Sequence, residues 1–260
     1  MPADPPIAAI NAGLHRRMTA RAPLLGTFIK TPHPIVVEVL ALSGLDFAVL
    51  DAEHGPFDRG IIDTMLIAAQ AAGFPLIVRV PDDRPATLLG VLDSGAAGVM
   101  VPHVTTAAQA ERIARACRYR AGGRGYAGTT RAAGYGSRDA KAHFASTATE
   151  VSVICQIEDA AGVDNAAAIA AVDGVDALFV GRADLAVSCG LDGFFAPETA
   201  ALTRDVLAVT GAATGLYCGP DEDPAAWLAA GATLLVTGSD HTLLMQGGAA
   251  LRRQFDRATG

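Results

Sequence analysis

VSVICQIEDAAGVDNAAAIAAVDGVDALFVGRADLAVSCG, residues 151–190, carries the pattern on which the fold turns. Two β-type apolar runs, VSVICQI (151–157) and ALFVG (177–181), bracket an alanine-rich helical stretch. Strands with so few polar residues are covered on both faces, as in a parallel sheet. Each run then ends in polar residues: Gln156-Ile157-Glu158-Asp159 after the first, Gly181-Arg182-Ala183-Asp184 after the second. The same rhythm extends outward through LLGTFI (24–29), FAVLD (47–51), LIVRV (76–80), GVMVP (98–102), GLYCG (215–219) and TLLVTG (233–238). Helical stretches lie between them, such as PIVVEVLALSG (34–44), RGIIDTMLIAAQAAG (59–73) and AAQAERIARACRYRAGG (107–123). SGLDF, AGFPL, DGVDAL and AGATL share one order of helix, glycine, tight turn and strand. Eight βα units in one chain of 260 residues predict an α/β fold, a single-domain (β/α)8 TIM barrel. The barrel is expected over residues 23–260, preceded by an N-terminal extension or helix over 1–22. Neither GxGxxG after the first strand nor GxxxxGK[ST] is present, so a nucleotide-binding open sheet has no support. One long insertion, 121–141, carries six glycines.

Composition narrows the function. The chain is 51% hydrophobic and 18% charged, too apolar for a disordered segment. A net charge of −7 argues against nucleic acid, whose phosphates need a basic face. No run of apolar residues is long enough to span a bilayer. The N-terminus starts acidic and lacks the order of a signal peptide. Cys117, Cys155, Cys189 and Cys218 are widely spaced within apolar segments, which reads as reduced, buried thiols. Together these predict a cytoplasmic protein acting on small molecules.

Catalytic groups of such a barrel gather where strands end. Strand two ends in Asp51-Ala52-Glu53-His54, strand three in Arg79, and strand four runs into Pro102-His103. Glu158 and Asp184, carboxylates from neighbouring strand ends without Cys or His nearby in sequence, suit Mg2+ or Mn2+. The plainer alternative is that each only caps a helix. His54 has the chemistry of a general base near neutral pH; a structural hydrogen bond is its alternative. Arg79 interrupts an apolar strand, where an unpaired charge is costly. It therefore pairs with Asp51 or Glu53, polarises a substrate oxygen, or does both. The turn Gly181–Asp184 opens a helix whose free N–H groups suit a carboxylate. Phe28, Tyr217 and Trp227 read as core or wall, with Phe28 and Tyr217 placed to border a pocket. His103 reads as packing or support, and His15, His33, His143 and His241 as surface or packing.

With these residues laid out, the chain resembles the HpcH/HpaI aldolase family, the class II pyruvate-dependent aldolases, from about residue 23 to 257. The resemblance rests on GTFIKTPHP, FAVLDAEHGPFD, LIVRVP, LLGVLDSGAAGVMVPHV, RGYAGTTRAAGYG, ICQIED and LFVGRADLAVSCG, in this order and spacing. It implies a (β/α)8 barrel assembled as a homohexamer. It also implies a divalent metal ion (Mg2+ or Mn2+, with Co2+ as a substitute) held by Glu158 and Asp184. By the same resemblance His54 is the base and Arg79 holds the keto oxygen. Gln156 orients the metal ligands, while Asp51 and Glu53 support the arginine and the metal's waters. The pyruvate carboxylate lies on the backbone around Gly181, Ala183 and Asp184, and Phe28 and Tyr217 border the aldehyde. Asp93 is implied to pair with the catalytic histidine. At a helix end on the far side of its own barrel, it reaches only the His54 of a neighbouring copy, so the oligomer is obligate. The chain departs from the family at Gly181-Arg182-Ala183-Asp184, where Gly-Pro-Ala-Asp or Gly-Pro-Ser-Asp is usual, and at Ala186, where Ser is usual. The extra arginine predicts a more acidic or hydroxylated substrate.

The activity implied is a metal-dependent aldolase. It cleaves 4-hydroxy-2-oxo acids reversibly to pyruvate, or hydroxypyruvate, and an aldehyde through a metal-stabilised enolate. One alternative keeps the enolate chemistry with hydroxypyruvate as main donor or with oxaloacetate decarboxylation. Another is a non-catalytic barrel that binds a 2-oxo acid, which would not need the base. Lys30 and Lys141 are the only lysines and neither ends a central strand, which disfavours Schiff-base chemistry.

Overall fold

A computed structural model describes residues 6–259, so residues 1–5 of the expected N-terminal extension and Gly260 lie outside the described residues. The apolar runs form eight parallel strands that hydrogen-bond in sequence order and close, β8 pairing with β1. They are β1 (Leu24–Ile29), β2 (Phe47–Asp51), β3 (Leu76–Arg79), β4 (Gly98–Val101), β5 (Ser152–Ile157), β6 (Ala177–Val180), β7 (Ala213–Cys218) and β8 (Leu234–Ser239). The helices are α1 (Pro6–Thr19), α2 (Ile35–Ala41), α3 (Arg59–Ala72), α4 (Pro85–Asp93), α5 (Ala107–Ala116) and α6 (Ala140–Glu150). Then follow α7 (Ala160–Asp164), α8 (Ala166–Ala170), α9 (Arg182–Ser188), α10 (Pro197–Leu207), α11 (Pro224–Ala229) and α12 (Asp240–Thr259). This is the (β/α)8 barrel that the sequence predicts.

Helix ends follow from local chemistry. Asp58 and Thr106 each accept a backbone N–H of the first turn, starting α3 and α5. Gly73 ends α3 in the left-handed conformation, φ 68°, where a side chain would be strained. The expected helix 107–123 stops at Ala116. Gly123 and Arg124 then turn their N–H groups to the carbonyls of Arg120 and Arg118. The glycine-rich insertion follows as turns and one 3-10 turn before α6.

Strand parity decides what faces the axis. Phe47, Val49, Ile77, Ile154 and Phe179 pack in the barrel interior, while Ala48, Leu50, Val78, Cys155 and Val180 pack against the helices. Leu14 and Met18 of α1 join the interior cluster, so α1 packs into the barrel core instead of trailing from it. Carried two residues further, the same parity brings Asp51, Arg79, Gln156 and Gly181 inward at the C-terminal rim. Cys117, Cys155 and Cys218 are buried, Cys189 is half-buried, and all four are free. Among the described residues no helix is long and apolar enough to cross a membrane.

Candidate active site

The β2–β3 register sets Asp51 directly beside Arg79. Arg79 Nε donates to Asp51 Oδ1 at 2.9 Å, and its Nη2 lies 2.8 Å from Asp51 Oδ2. Glu53 Oε2 lies 3.3 Å from Arg79 Nε, and Lys30 Nζ reaches Asp51 Oδ2 at 2.9 Å. Lys30 is thus an ion-pair partner beside the rim. Burial works to raise the Asp51 pKa, but the bonds and charge of Arg79 and the Lys30 bond outweigh it and hold it at about 2. Arg79 therefore meets the cost of burial by pairing, and its guanidinium also stacks 5.0 Å from the Phe28 ring.

His54 stands in the turn after β2. Its backbone N–H donates to Asp51 Oδ1 at 3.2 Å, which fixes the turn. The ring is more than half exposed, with Nε2 3.8 Å from Glu53 Oε2. The base candidate therefore faces open space beside Arg79, with a carboxylate behind it.

Glu158 follows β5 and is buried. Its Oε1 accepts the His103 backbone N–H at 2.8 Å, and its Oε2 accepts from the Gln156 amide. Burial pushes its pKa up to about 7. The His103 N–H and ring charge pull it down, and the Glu53 and Asp184 carboxylates add to the rise. No Lys or Arg forms an ion pair with it among the described residues. Glu53, His103 and Glu158 bring ligand atoms within 4.8 Å of one another. A buried carboxylate without a fixed cation, among further donors, suits a divalent cation. Gly181 completes the cradle, because a Cβ there would overlap Glu158 Oε2. Asp184, half-buried in the first turn of α9, lines the cavity in front.

That cavity, about 390 Å³, opens at the C-terminal rim. His54, Arg79, Gln156, Gly181, Ala183 and Asp184 line it, and Phe28, Phe179, Phe194 and Tyr217 wall it. Eight of the residues expected from sequence thus line one cavity, with Asp51 and Glu53 behind Arg79 and Glu158 behind Gln156, while Asp184 stands outside the Glu53–His103–Glu158 cluster. Asp93 does not join them. As the last residue of α4 it receives Arg124 Nη2 at 2.5 Å, and its carbonyl accepts the Ala132 N–H from the insertion.

His103 has the supporting contacts expected of it, and Arg182 differs from expectation. His103 takes a left-handed backbone, φ 53°, uncommon for a non-glycine residue. Its ring Nδ1 lies 3.0 Å from Asp159 Oδ2 and 3.4 Å from Glu158 Oε1, so it belongs to the acidic cluster. Its position directly after a strand was the available signal. Arg182 was expected to offer a free charge favouring an acidic or hydroxylated substrate. It is instead buried, Nη1 donating to both Glu222 oxygens at 2.8 and 2.7 Å. Glu222 lies some forty residues on, beyond any local pattern, and Phe194 was missed because its loop belongs to no strand.

The sequence matches the HpcH/HpaI aldolase/citrate lyase family over residues 24–247. It is 39% identical over 241 residues to a 4-hydroxy-2-oxovalerate aldolase of Novosphingobium aromaticivorans, covering 90% of each chain. It is 38% identical over 215 residues to a hydroxypyruvate/pyruvate aldolase of Paraburkholderia phytofirmans, covering 78% of this chain and 82% of the relative. A crystal structure of an HpcH/HpaI aldolase/citrate lyase family protein from Burkholderia cenocepacia is similar at TM-score 0.86 and 34% identity, covering 96% of this chain and 100% of that one.

Proposed function

Because the chain belongs to the HpcH/HpaI aldolase/citrate lyase family and is a carbon–carbon lyase, we propose that it cleaves 4-hydroxy-2-oxo acids reversibly to pyruvate and an aldehyde. One observation carries this reading: a histidine, an arginine and the Asp184 carboxylate, from different strand ends, line one cavity at the rim, with the buried Glu158 carboxylate bonded to Gln156 of its lining. In cleavage the 4-hydroxyl loses its proton and the C3–C4 bond breaks. The electron pair passes toward the 2-oxo oxygen, and C3 of the released fragment then takes up a proton. His54 moves the proton, its exposed ring facing the cavity. Arg79, held by Asp51 and Glu53, directs its charge to the 2-oxo oxygen. Gln156 orients Glu158, and the backbone from Gly181 to Asp184 receives the substrate carboxylate. Glu158 and Asp184 would hold a divalent cation, Mg2+ or Mn2+ with Co2+ as a substitute. Such an ion supplies Lewis-acid stabilisation of the charge on the 2-oxo oxygen.

The active assembly in this reading is a homohexamer in the cytoplasm. Association is supported by the exposed apolar row Leu244, Met245, Leu251 and Phe255 on α12. Asp93, far from its own cavity, would serve the His54 of a neighbouring copy. Light scattering should give six copies, and Asp93→Asn should lower turnover while the hexamer persists. A fully active monomer would remove Asp93 from the site.

The direct test is deuterium exchange of the pyruvate methyl protons by NMR without aldehyde, on chelator-stripped protein before and after Mg2+ or Mn2+. Exchange only with metal is expected. Exchange with hydroxypyruvate but not pyruvate would move the donor. Silence with every 2-oxo acid would leave a binding barrel.

A further inference from the structure

The cavity has two unlike sides. Its charged groups lie toward β2, β3, β5 and β6, whereas toward β7 the wall is aromatic. Phe28 and Tyr217 approach with ring centroids 6.3 Å apart, and Phe194 stands 6.0 Å from Tyr217. Phe194 sits in the loop between α9 and α10, where the neighbouring Phe195 ring packs on it at 4.1 Å. Arg182 ties that aromatic pair to the barrel. Its Nη2 donates to the Phe194 carbonyl at 3.2 Å, and its guanidinium lies 4.7 Å from the Phe194 ring and 4.7 Å from the Trp227 ring. Its Nη1 reaches the Tyr217 carbonyl at 3.4 Å. Glu222 fixes the arginine in turn and also accepts the Gly219 N–H at 2.7 Å. One buried ion pair therefore ties the start of α9, the Phe194 loop, the end of β7 and the turn after it.

Charge compensation follows from the same contacts. Two guanidinium groups line the cavity, Arg79 and Arg182. Asp51 and Glu53 occupy the first, Glu222 the second. Neither is left over for a second carboxylate on the substrate. An aldehyde carrying an anionic tail would lose hydration against the aromatic wall without a partner, whereas an alkyl or aryl tail gains by burial.

We propose that the Arg182–Glu222 pair is a positioning device that seats Phe194 beside Tyr217, so that the acceptor end selects aldehydes with an apolar tail over those bearing a carboxylate. This rests on the aldolase reading above and names its acceptor class. A proline at position 182 would have no side-chain donor for these bonds; Arg182 makes all of them.

The test compares propanal with succinic semialdehyde as acceptors for pyruvate, using intact metal-loaded protein. Wild-type kcat/KM should favour propanal by at least about tenfold, a discrimination that pocket chemistry of this kind can supply. Glu222→Gln should raise KM for propanal with kcat little changed and reduce the preference severalfold. Glu222→Asp, which keeps the charge, should restore much of it. Phe194→Ala, which leaves the ion pair in place, should reduce the preference independently of any folding defect in the Glu222 variants. A wild type that prefers succinic semialdehyde overturns the proposal, as does an unchanged preference in Phe194→Ala. Metal-dependent pyruvate exchange in the wild type is scored separately. Its loss defeats the aldolase reading, while its presence with the wrong acceptor preference defeats only this inference.

Discussion

Arg79 and Arg182 line the same cavity and both are buried, yet their surroundings differ in kind. Arg79 lies among charges: Asp51 directly across the β2–β3 register, Glu53 at 3.3 Å and the exposed His54 turn beside them. Arg182 lies between aromatic rings, with Glu222 as its only ion-pair partner among the described residues. The carboxylates engage Arg79 through Nε and Nη2, which leaves Nη1 for one ligand oxygen. Arg182 gives both of its terminal nitrogens to Glu222 and the loop carbonyls, so it is spent on holding loops together. Charge at a barrel mouth is therefore a guide to chemistry only when the partners of that charge are known.

If the rim from β2 to the Gly181–Asp184 turn runs the reaction and the Arg182–Glu222 pair with the Phe194 loop and β7 shapes the acceptor end, substitutions on the two sides should fail differently. Glu158→Ala should give the largest effect, loss of metal-dependent pyruvate exchange together with loss of Mn2+ binding by calorimetry. His54→Ala should lower exchange by about 10²–10⁴-fold, the usual range for removing a general base, while Mn2+ still binds. Retention of full exchange by His54→Ala would break the assignment. Arg79→Lys keeps a positive charge but loses the fork that fits Asp51 and an oxygen together. Its turnover should drop by about 10²-fold, the lower part of the range for one lost donor.

On the other side the cost should be to stability. Glu222→Gln leaves the Arg182 charge without its counter-charge in a buried setting, an effect of about 1–3 kcal/mol. For a chain of this size that lowers Tm by about 3–10 °C, readable by calorimetry. A melting temperature equal to wild type would mean that the pair contributes nothing net and would weaken the contrast with Arg79.

The same contrast explains what was legible in the sequence. All eight strands were readable, because a buried parallel strand is a run of apolar residues bounded by turn signals, and each element here is of that kind. Parity then gives the inward positions: from Phe47 and Val49 to Asp51, from Ile77 to Arg79, from Ile154 to Gln156 and Glu158. Residues near strand ends were accordingly legible as a group. The partner of Arg182 was not, since Glu222 comes from the turn after another strand and only the closed barrel brings it near. The role of Phe194 was hidden for the same reason. The expectation for Asp93 came only through resemblance, because nothing local in its helix marks it.

Acid offers the finest probe of the two regions, because both carboxylates are held below their ordinary range for the same reason in different settings. At Asp51, burial alone would raise the pKa, yet Arg79 and Lys30 bring it from 3.8 to about 2. At Glu222, burial is likewise outweighed by the Arg182 bond, the Gly219 N–H and the guanidinium charge, and the pKa is lowered from 4.5. A depressed carboxylate pKa contributes stability that is complete above the unfolded value and is lost as pH falls through the folded one. For Asp51 that loss should run from about pH 4 down to about pH 2 and amount to on the order of 2 kcal/mol. For Glu222 the loss should begin at higher pH, because its unfolded pKa is higher. Urea unfolding across this range should show a flatter acid limb for Asp51→Asn than for wild type, on top of a lower stability near neutrality from the weakened Arg79 pair. Glu222→Gln should flatten the limb from its upper end instead. Identical acid limbs in Asp51→Asn and wild type would mean that the Asp51–Arg79 contact is no stronger in the folded protein than in the unfolded chain, and the rim arginine would then have its charge free.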